Sequence, residues 1–188
     1  MGAPPPWRLF IAHPVPLEVR TELHAQLAPY RAARRDVRWT RPETWHLTLL
    51  FLGQVEPARV PELERLIGDV GRRTEPYPVR VERGDGRISG GEGVAWLGLS
   101  TGAGRLIETA TLTAERCPSE ATQGRPPKRT PSAHLTLVRK AHEGAIEDLR
   151  RQAHGPLGVS WSVDTIELVR SHLEAGGARY ETLHRSTL

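Results

Sequence analysis

Hydrophobic and polar positions alternate most clearly in two stretches, and both stretches carry the same four residues. In Trp45-His46-Leu47-Thr48-Leu49, and again in His134-Leu135-Thr136-Leu137, Leu takes every second position with His and Thr between. A strand sends successive side chains to opposite faces. Each stretch therefore predicts a strand with an apolar underside and an upper face of one imidazole and one hydroxyl. Residues 7–12 alternate in the same way and predict a strand before the first motif. Leu17, Leu23 and Leu27 form the stripe of an amphipathic helix over 17–28, opened by Pro14 and Pro16 and ended by Pro29. The segment 31–41 is a basic connector, and Pro42-Glu43-Thr44 is turn chemistry ahead of a motif strand that continues to Gly53.

A second helix is predicted over 57–70, with Pro57 in its first turn, a stripe of Val60, Leu63, Leu66 and Ile67, and Gly71 closing it. A strand over 77–81 and a Gly84-Asp85-Gly86 turn follow. After a glycine-rich join at 90–93 the pattern predicts a strand over 94–99 and a helix over 105–117. A proline-rich basic loop over 123–131 then delivers the second motif strand. The remainder predicts a helix over 144–153, a Gly-Pro turn, a strand over 159–169 bent near Asp164, and a closing strand over 179–183 after Gly176-Gly177. Each half reads strand, helix, motif strand, helix, strand. This order suits two pseudo-symmetric lobes around a cleft, where ligand sites tend to lie.

Composition narrows the class. With 38% hydrophobic and 26% charged residues the chain is globular and soluble in character. No apolar run approaches the roughly 18 residues of a membrane span. No basic segment followed by an apolar one marks a signal peptide, so a cytoplasmic protein is expected, with residues 1–6 a flexible leader. Cys117 stands alone, which excludes a disulfide framework and a cysteine metal cluster. The net charge of +4 fits a polyanionic partner, but the basic residues are almost all Arg, a bias that genome composition would also produce. The segment 31–41 is accordingly either a solvated loop or one that tracks RNA. No Walker sequence, Rossmann fingerprint or Gly-x-Ser-x-Gly elbow occurs.

Two histidines and two threonines remain as candidate chemistry. Imidazole exchanges a proton near neutrality, so His46 and His134 on opposite sides of a phosphorus could serve as acid and base for an in-line displacement. The Thr48 and Thr136 hydroxyls would hold the non-bridging oxygens. A single His-x-Thr stretch would read as an ordinary polar strand face; its repetition in a comparable context gives it meaning. A metal site is disfavoured, because the motif strands lack a nearby acidic cluster and no His-x-x-x-His pair lies on a helix. His13, His24, His142, His154, His172 and His184 have no repeated context and read as surface or satisfied residues. Phe10, on the more polar face of its strand, either stacks on a base or joins the core.

These residues resemble the 2H phosphoesterases, and within them the RNA 2′,3′-cyclic phosphodiesterases first named 2′-5′ RNA ligases. Arg8 to Ala12 resembles that family's first strand, Trp45 to Gly53 and Ala133 to Arg139 its two His-x-Thr-x strands, and 168–183, with Tyr180 and Leu183, its C-terminal strands. Leu50 stands where relatives often carry Lys, and Ala133 replaces a frequent Pro. The resemblance implies one α+β domain over 1–188: a bilobal fold of two pseudo-symmetric lobes, each with an antiparallel sheet, outer helices and one His-x-Thr-x motif, and the active-site cleft between them. It implies hydrolysis of RNA 2′,3′-cyclic phosphate ends to 2′-phosphate ends by a monomer, with no metal, cofactor or membrane. By that analogy His46 donates the proton to the leaving oxygen, His134 accepts one from water, Thr48 and Thr136 bind the phosphate, and Arg139 adds charge to it. Ligation to a 2′-5′ bond by the reverse reaction would exchange the histidines' roles. Arg139 is five residues past His134, on the opposite face of an ideal strand, so it must lie at or past a strand end to reach in. Lys128 and Arg129 are weaker candidates for RNA contacts. An RNA-end binding module without chemistry, and a phosphodiesterase for 2′-5′ oligonucleotides or small cyclic nucleotides, are the alternatives.

Overall fold

The computed structural model describes residues 4–90, 92–118, 133–152, 157–174 and 177–188. Among the described residues nine strands and four α-helices follow one another as β1 (Trp7–Pro14), α1 (Leu17–Ala33), β2 (Arg38–Trp39), β3 (His46–Val55), α2 (Val60–Arg73), β4 (Tyr77–Ser89), β5 (Glu92–Thr101), α3 (Ala103–Arg116), β6 (His134–Ala141), α4 (Glu143–Gln152), β7 (Val159–Val163), β8 (Thr165–Glu174) and β9 (Gly177–Thr187). The strand order is β7-β4-β5-β6-β3-β1-β8-β9, with β2 on β6. Neighbouring strands run antiparallel. The result is an α+β architecture whose sheet consists of two antiparallel groups, β7-β4-β5-β6 and β3-β1-β8-β9. Among the described residues the groups pair only through Leu47 and Leu135, in the middle of the two motifs. The groups are not successive halves of the chain, because β8 and β9 return to pair beside β1.

The two faces of the sheet differ. One face carries Leu9, Ile11, Leu47, Leu49, Leu135 and Leu137, in a single core cluster with Leu23 and Leu27 of α1, Leu63 and Ile67 of α2, Leu106 of α3 and Ile146 of α4. Burying such a side chain contributes about 1.5–3 kcal/mol, so this layer holds the fold together. Among the described residues the opposite face has only a small cluster of Phe10, Ala12 and Val169 beside Tyr180. The His and Thr of both motifs stand on this second face.

Several boundaries depart from the pattern. Pro29 lies inside α1, which runs on to Ala33. Proline removes one backbone bond, but Tyr30 is buried and its hydroxyl donates to the Asp148 carbonyl at 3.0 Å, tying the next turn to α4. The connector 31–41 is therefore in part helix, and Arg38–Trp39 is strand. Gly71 does not end α2 but lies within it, where an added Cβ would come 2.3 Å from Ser186 Oγ of β9. Gly84 and Gly86 make no turn, since β4 continues to Ser89. Their missing side chains admit α4: a Cβ on Gly84 would sit 2.3 Å from the Leu149 carbonyl oxygen, and one on Gly86 2.7 Å from Ile146.

The stretch 159–169 is two strands divided at Asp164, one pairing with β4 and the other with β1. His13 fastens this crossing. Its Nδ1–H donates to the Thr165 carbonyl at 2.8 Å, and its Nε2 accepts from the Trp161 indole N–H at 2.9 Å. Pro4 to Pro6 are exposed, whereas residues 1–3, the basic loop 123–131 with Lys128 and Arg129, and the 155–156 turn lie outside the described residues.

Candidate active site

The site is built where the two groups of strands meet. With Leu47 opposite Leu135 in an antiparallel pair, His46 lies across from Thr136 and Thr48 across from His134. In such a ladder directly opposite Cβ atoms are about 5 Å apart and diagonal ones about 7–8 Å. The two histidines thus occupy one diagonal of a small rectangle and the two threonines the other, all on the face away from the core. The motifs stand side by side at this seam, as adjacent strands of one sheet. Among the described residues no hydrogen bond engages either threonine hydroxyl, so both are open to a ligand.

Each motif strand is bulged three residues after its histidine. On β3 the register steps from Ala12–Thr48 to Ile11–Leu50, skipping Leu49. On β6 it steps from Trp96–Thr136 to Ala95–Val138, skipping Leu137. A bulge adds a residue and reverses the alternation beyond it. Hence Leu49 and Leu50 are both buried, as are Leu137 and Val138. The reversal turns Phe51 and Arg139 onto the face of the histidines. Arg139 reaches that face from within the strand, without lying past its end, and it pairs in register with Val94 and Arg38. Phe51, its counterpart on β3, is 59% exposed.

Thr40 clamps the β6 bulge. Its hydroxyl lies 3.0 Å from the Thr136 carbonyl and 2.9 Å from that of Leu137, and its N–H donates to Leu137 at 2.8 Å. The Trp45 indole N–H donates to the same hydroxyl at 2.9 Å, so the residue preceding His46 is tied to the strand that carries His134. Nothing in the sequence marked Thr40, because a threonine two residues before a proline has no signature.

The half-buried His46 donates from Nδ1 to the Thr44 carbonyl at 2.7 Å, which leaves Nε2 for a ligand. Its ring is packed against Phe10 at 4.8 Å and edge-on to Tyr180 at 5.4 Å. Burial is the main reason its pKa falls to about 4; the charges of Arg139 and His134 push the same way, and the Thr44 carbonyl pulls against them. His134 has a different neighbour, the Trp96 ring at 5.2 Å. Phe10 itself is only 3% exposed. A ring so covered offers no face to a base and instead forms the wall beneath His46. Tyr180 belongs to the same wall, and Trp96 was not singled out by its surroundings in sequence.

The other candidates fall elsewhere. His13 is buried in the core at the strand crossing, His142 pairs with Asp36 at 2.7 Å and His172 with Glu181 at 2.7 Å. Burial pushes the Cys117 thiol up to about 11, far from a nucleophile's range. Among the described residues no three His, Cys, Asp or Glu side chains come together as a metal site would require. Nor is any described helix long and apolar enough to cross a membrane.

Two His-x-Thr-x strands are thus paired on the face of the sheet away from the core, an arrangement of two imidazoles and two hydroxyls that suits phosphoryl chemistry. Residues 14–85 match the family model described as LigT like Phosphoesterase. The RNA 2′,3′-cyclic phosphodiesterase of Thermus thermophilus is 29% identical over 194 residues, covering 96% of this chain and 90% of the relative. The Escherichia coli K12 protein of the same name is 29% identical over 189 residues, covering 97% of each. Among solved structures, a Thermus thermophilus protein matches with a TM-score of 0.74 at 27% identity, covering 96% of this chain and 97% of that one. E. coli LigT in complex with 3′-AMP matches with a TM-score of 0.70 at 26% identity, covering 98% and 99%. Over residues 14–85 in sequence, and over nearly its whole length in fold, the chain is similar to LigT-like phosphoesterases.

Proposed function

We propose that the protein hydrolyses 2′,3′-cyclic phosphate ends of RNA to 2′-phosphate ends, with His46 and His134 moving the protons. The observation that carries this reading is the Leu47–Leu135 register, which sets two imidazoles diagonally across two unengaged threonine hydroxyls. The names of the two relatives above support the substrate class. The Thr48 and Thr136 hydroxyls donate to the non-bridging oxygens, and the Arg139 guanidinium adds positive charge on the same face. Water attacks phosphorus opposite the 3′ oxygen and gives its proton to His134. The P–O3′ bond breaks, O3′ takes a proton from His46, and the phosphate stays on the 2′ oxygen. Both protons are thus supplied and accepted by side chains, so turnover is expected to persist in a chelator.

His46 is neutral in the free protein, so its role as donor requires that it take up a proton as substrate enters. The single negative charge of the cyclic phosphodiester opposes the repulsion from Arg139 and His134 and favours that uptake. Turnover of a short RNA with a 2′,3′-cyclic end, in EDTA, tests the reading. His46→Ala and His134→Ala are each expected to lose about 10²–10⁴ in rate. Full activity in either variant would remove the mechanism. Mass spectrometry with phosphatase mapping is expected to find a 2′-phosphate; a 3′-phosphate would reverse the direction of cleavage.

A further inference from the structure

Beside His46 the surface falls into a cavity of about 280 Å³ whose lining includes Arg8, Arg38, Arg41 and Arg139 together with Thr44 and Tyr180. The last two bind it to the site: the Thr44 carbonyl holds His46 Nδ1, and the Tyr180 ring stands against the His46 ring. The arginines come from β1, β2, the segment after β2, and β6, elements far apart in sequence. Arg8 shares a face with Phe10 because β1 alternates without interruption, and Arg38 is opposite Arg139 in register.

These charges are poorly compensated from within. Among the described residues no carboxylate pairs with Arg8, Arg38 or Arg139, and Arg41 donates to the Ala178 carbonyl at 2.8 Å. One carboxylate in the lining, Glu174, is held by Arg179 at 2.9 Å. Arg170 on neighbouring β8 is placed differently, its guanidinium 3.8 Å above the Trp7 ring and 3.8 Å from Glu181. Guanidinium groups gathered around one concavity repel each other unless an anion lies among them, and their planar donors suit phosphate oxygens.

We propose that this groove holds the phosphodiester one nucleotide upstream of the reacting end, so that the protein acts on RNA chains in preference to cyclic mononucleotides. The inference rests on the function proposed above and extends it to the next phosphate. A nucleoside 2′,3′-cyclic phosphate has only a 5′ hydroxyl there. A dinucleotide with the same cyclic end has a charged diester at that oxygen, and a 5′-phosphorylated cyclic mononucleotide presents the charge alone.

The test compares kcat/KM for adenosine 2′,3′-cyclic phosphate, its 5′-phosphorylated form and the adenylyl dinucleotide with the same cyclic end. The intact protein and the Arg8→Gln/Arg38→Gln double variant are both assayed. In the intact protein the dinucleotide and the 5′-phosphorylated form are expected to exceed the plain mononucleotide about tenfold or more, as charge-assisted hydrogen bonds allow. The double variant should bring that ratio close to one and flatten the salt dependence of dinucleotide turnover by ~0.7 for every phosphate no longer neutralised. Equal rates on all three substrates in the intact protein, or an equal fall on all three in the variant, would overturn the groove. Absence of turnover on every substrate would instead count against the reaction. The groove is then judged by calorimetric binding of the 2′-phosphorylated dinucleotide against adenosine 2′-phosphate. Tighter dinucleotide binding that the double variant abolishes supports it, and equal binding rejects it.

Discussion

The titration of His46 is the most exposed consequence of the geometry. An imidazole whose pKa is held to about 4 carries its proton in roughly one molecule in a thousand at pH 7, a deficit of about 4 kcal/mol for a proton donor. A bound phosphate can supply that much. A unit negative charge about 4 Å from the ring, at an effective dielectric constant of ~20, favours the imidazolium by about 4 kcal/mol. Histidine-selective labelling with NMR titration, free and saturated with adenosine 2′-monophosphate, measures both states. In the free protein His46 is expected to titrate far below the ordinary value, and with product bound to move up toward neutrality. A free value near 6.5 would refute the claim that burial between Phe10 and Tyr180 controls the ring. A value unchanged by the nucleotide would show that His46 does not face the phosphate.

Three further outcomes follow from named residues. Arg139→Ala removes a positive charge that disfavours imidazolium, so His46 in the free variant should titrate higher than in the intact protein, and an unchanged or lower value would contradict the placement made by the β6 bulge. Burial lowers the pKa of His13, so the unfolded chain binds the extra proton first. Its contribution to stability is complete above about 6.5 and declines as pH falls from there toward the folded-state value. Denaturant titrations across that range should show the decline, and Trp161→Phe, which removes the indole donor, should cost about 1 kcal/mol near neutrality. Gly84→Ala should destabilise by about 1–3 kcal/mol, since its Cβ would meet backbone of α4 at 2.3 Å. Gly104→Ala, with nothing within 4 Å, should leave the melting temperature level or slightly raised.

Much of this site could be read from the chain because a strand's period of two is strict. The order His-Leu-Thr-Leu alone assigned the leucines to the core and the polar pair to one face, and Leu47 and Leu135 are both 0% exposed. What could not be read depends on approach between distant segments. Gly84 and Gly86 look like a turn until α4 lies across them. Pro29 looks like a helix end until Tyr30 finds the Asp148 carbonyl. The bulges at Leu49 and Leu137 leave only a doubled hydrophobic, Leu49-Leu50 and Leu137-Val138, which a single sequence does not distinguish from a fully buried run. Strand partners were the other gap: nothing in the run from 159 to 169 says that its two parts pair on different sides of the seam.

The two motifs are built alike and covered differently. Both histidines precede a threonine by two residues and a bulge by three, and both strands turn the residue five past the histidine onto the histidines' face. That residue is Phe51 on one strand and Arg139 on the other. Beside His46 stand Phe10 and Tyr180, and it pairs in register with Pro14, whereas His134 stands by Trp96 and pairs in register with Gly98. Acid and base roles separate when like groups sit in environments that hold their protons unequally. Here the aromatic wall desolvates His46, and the cation at the fifth position comes from the strand of His134. Exchange of Phe51 and Arg139 alone would therefore leave the wall in place, and burial should still hold His46 below the ordinary imidazole value.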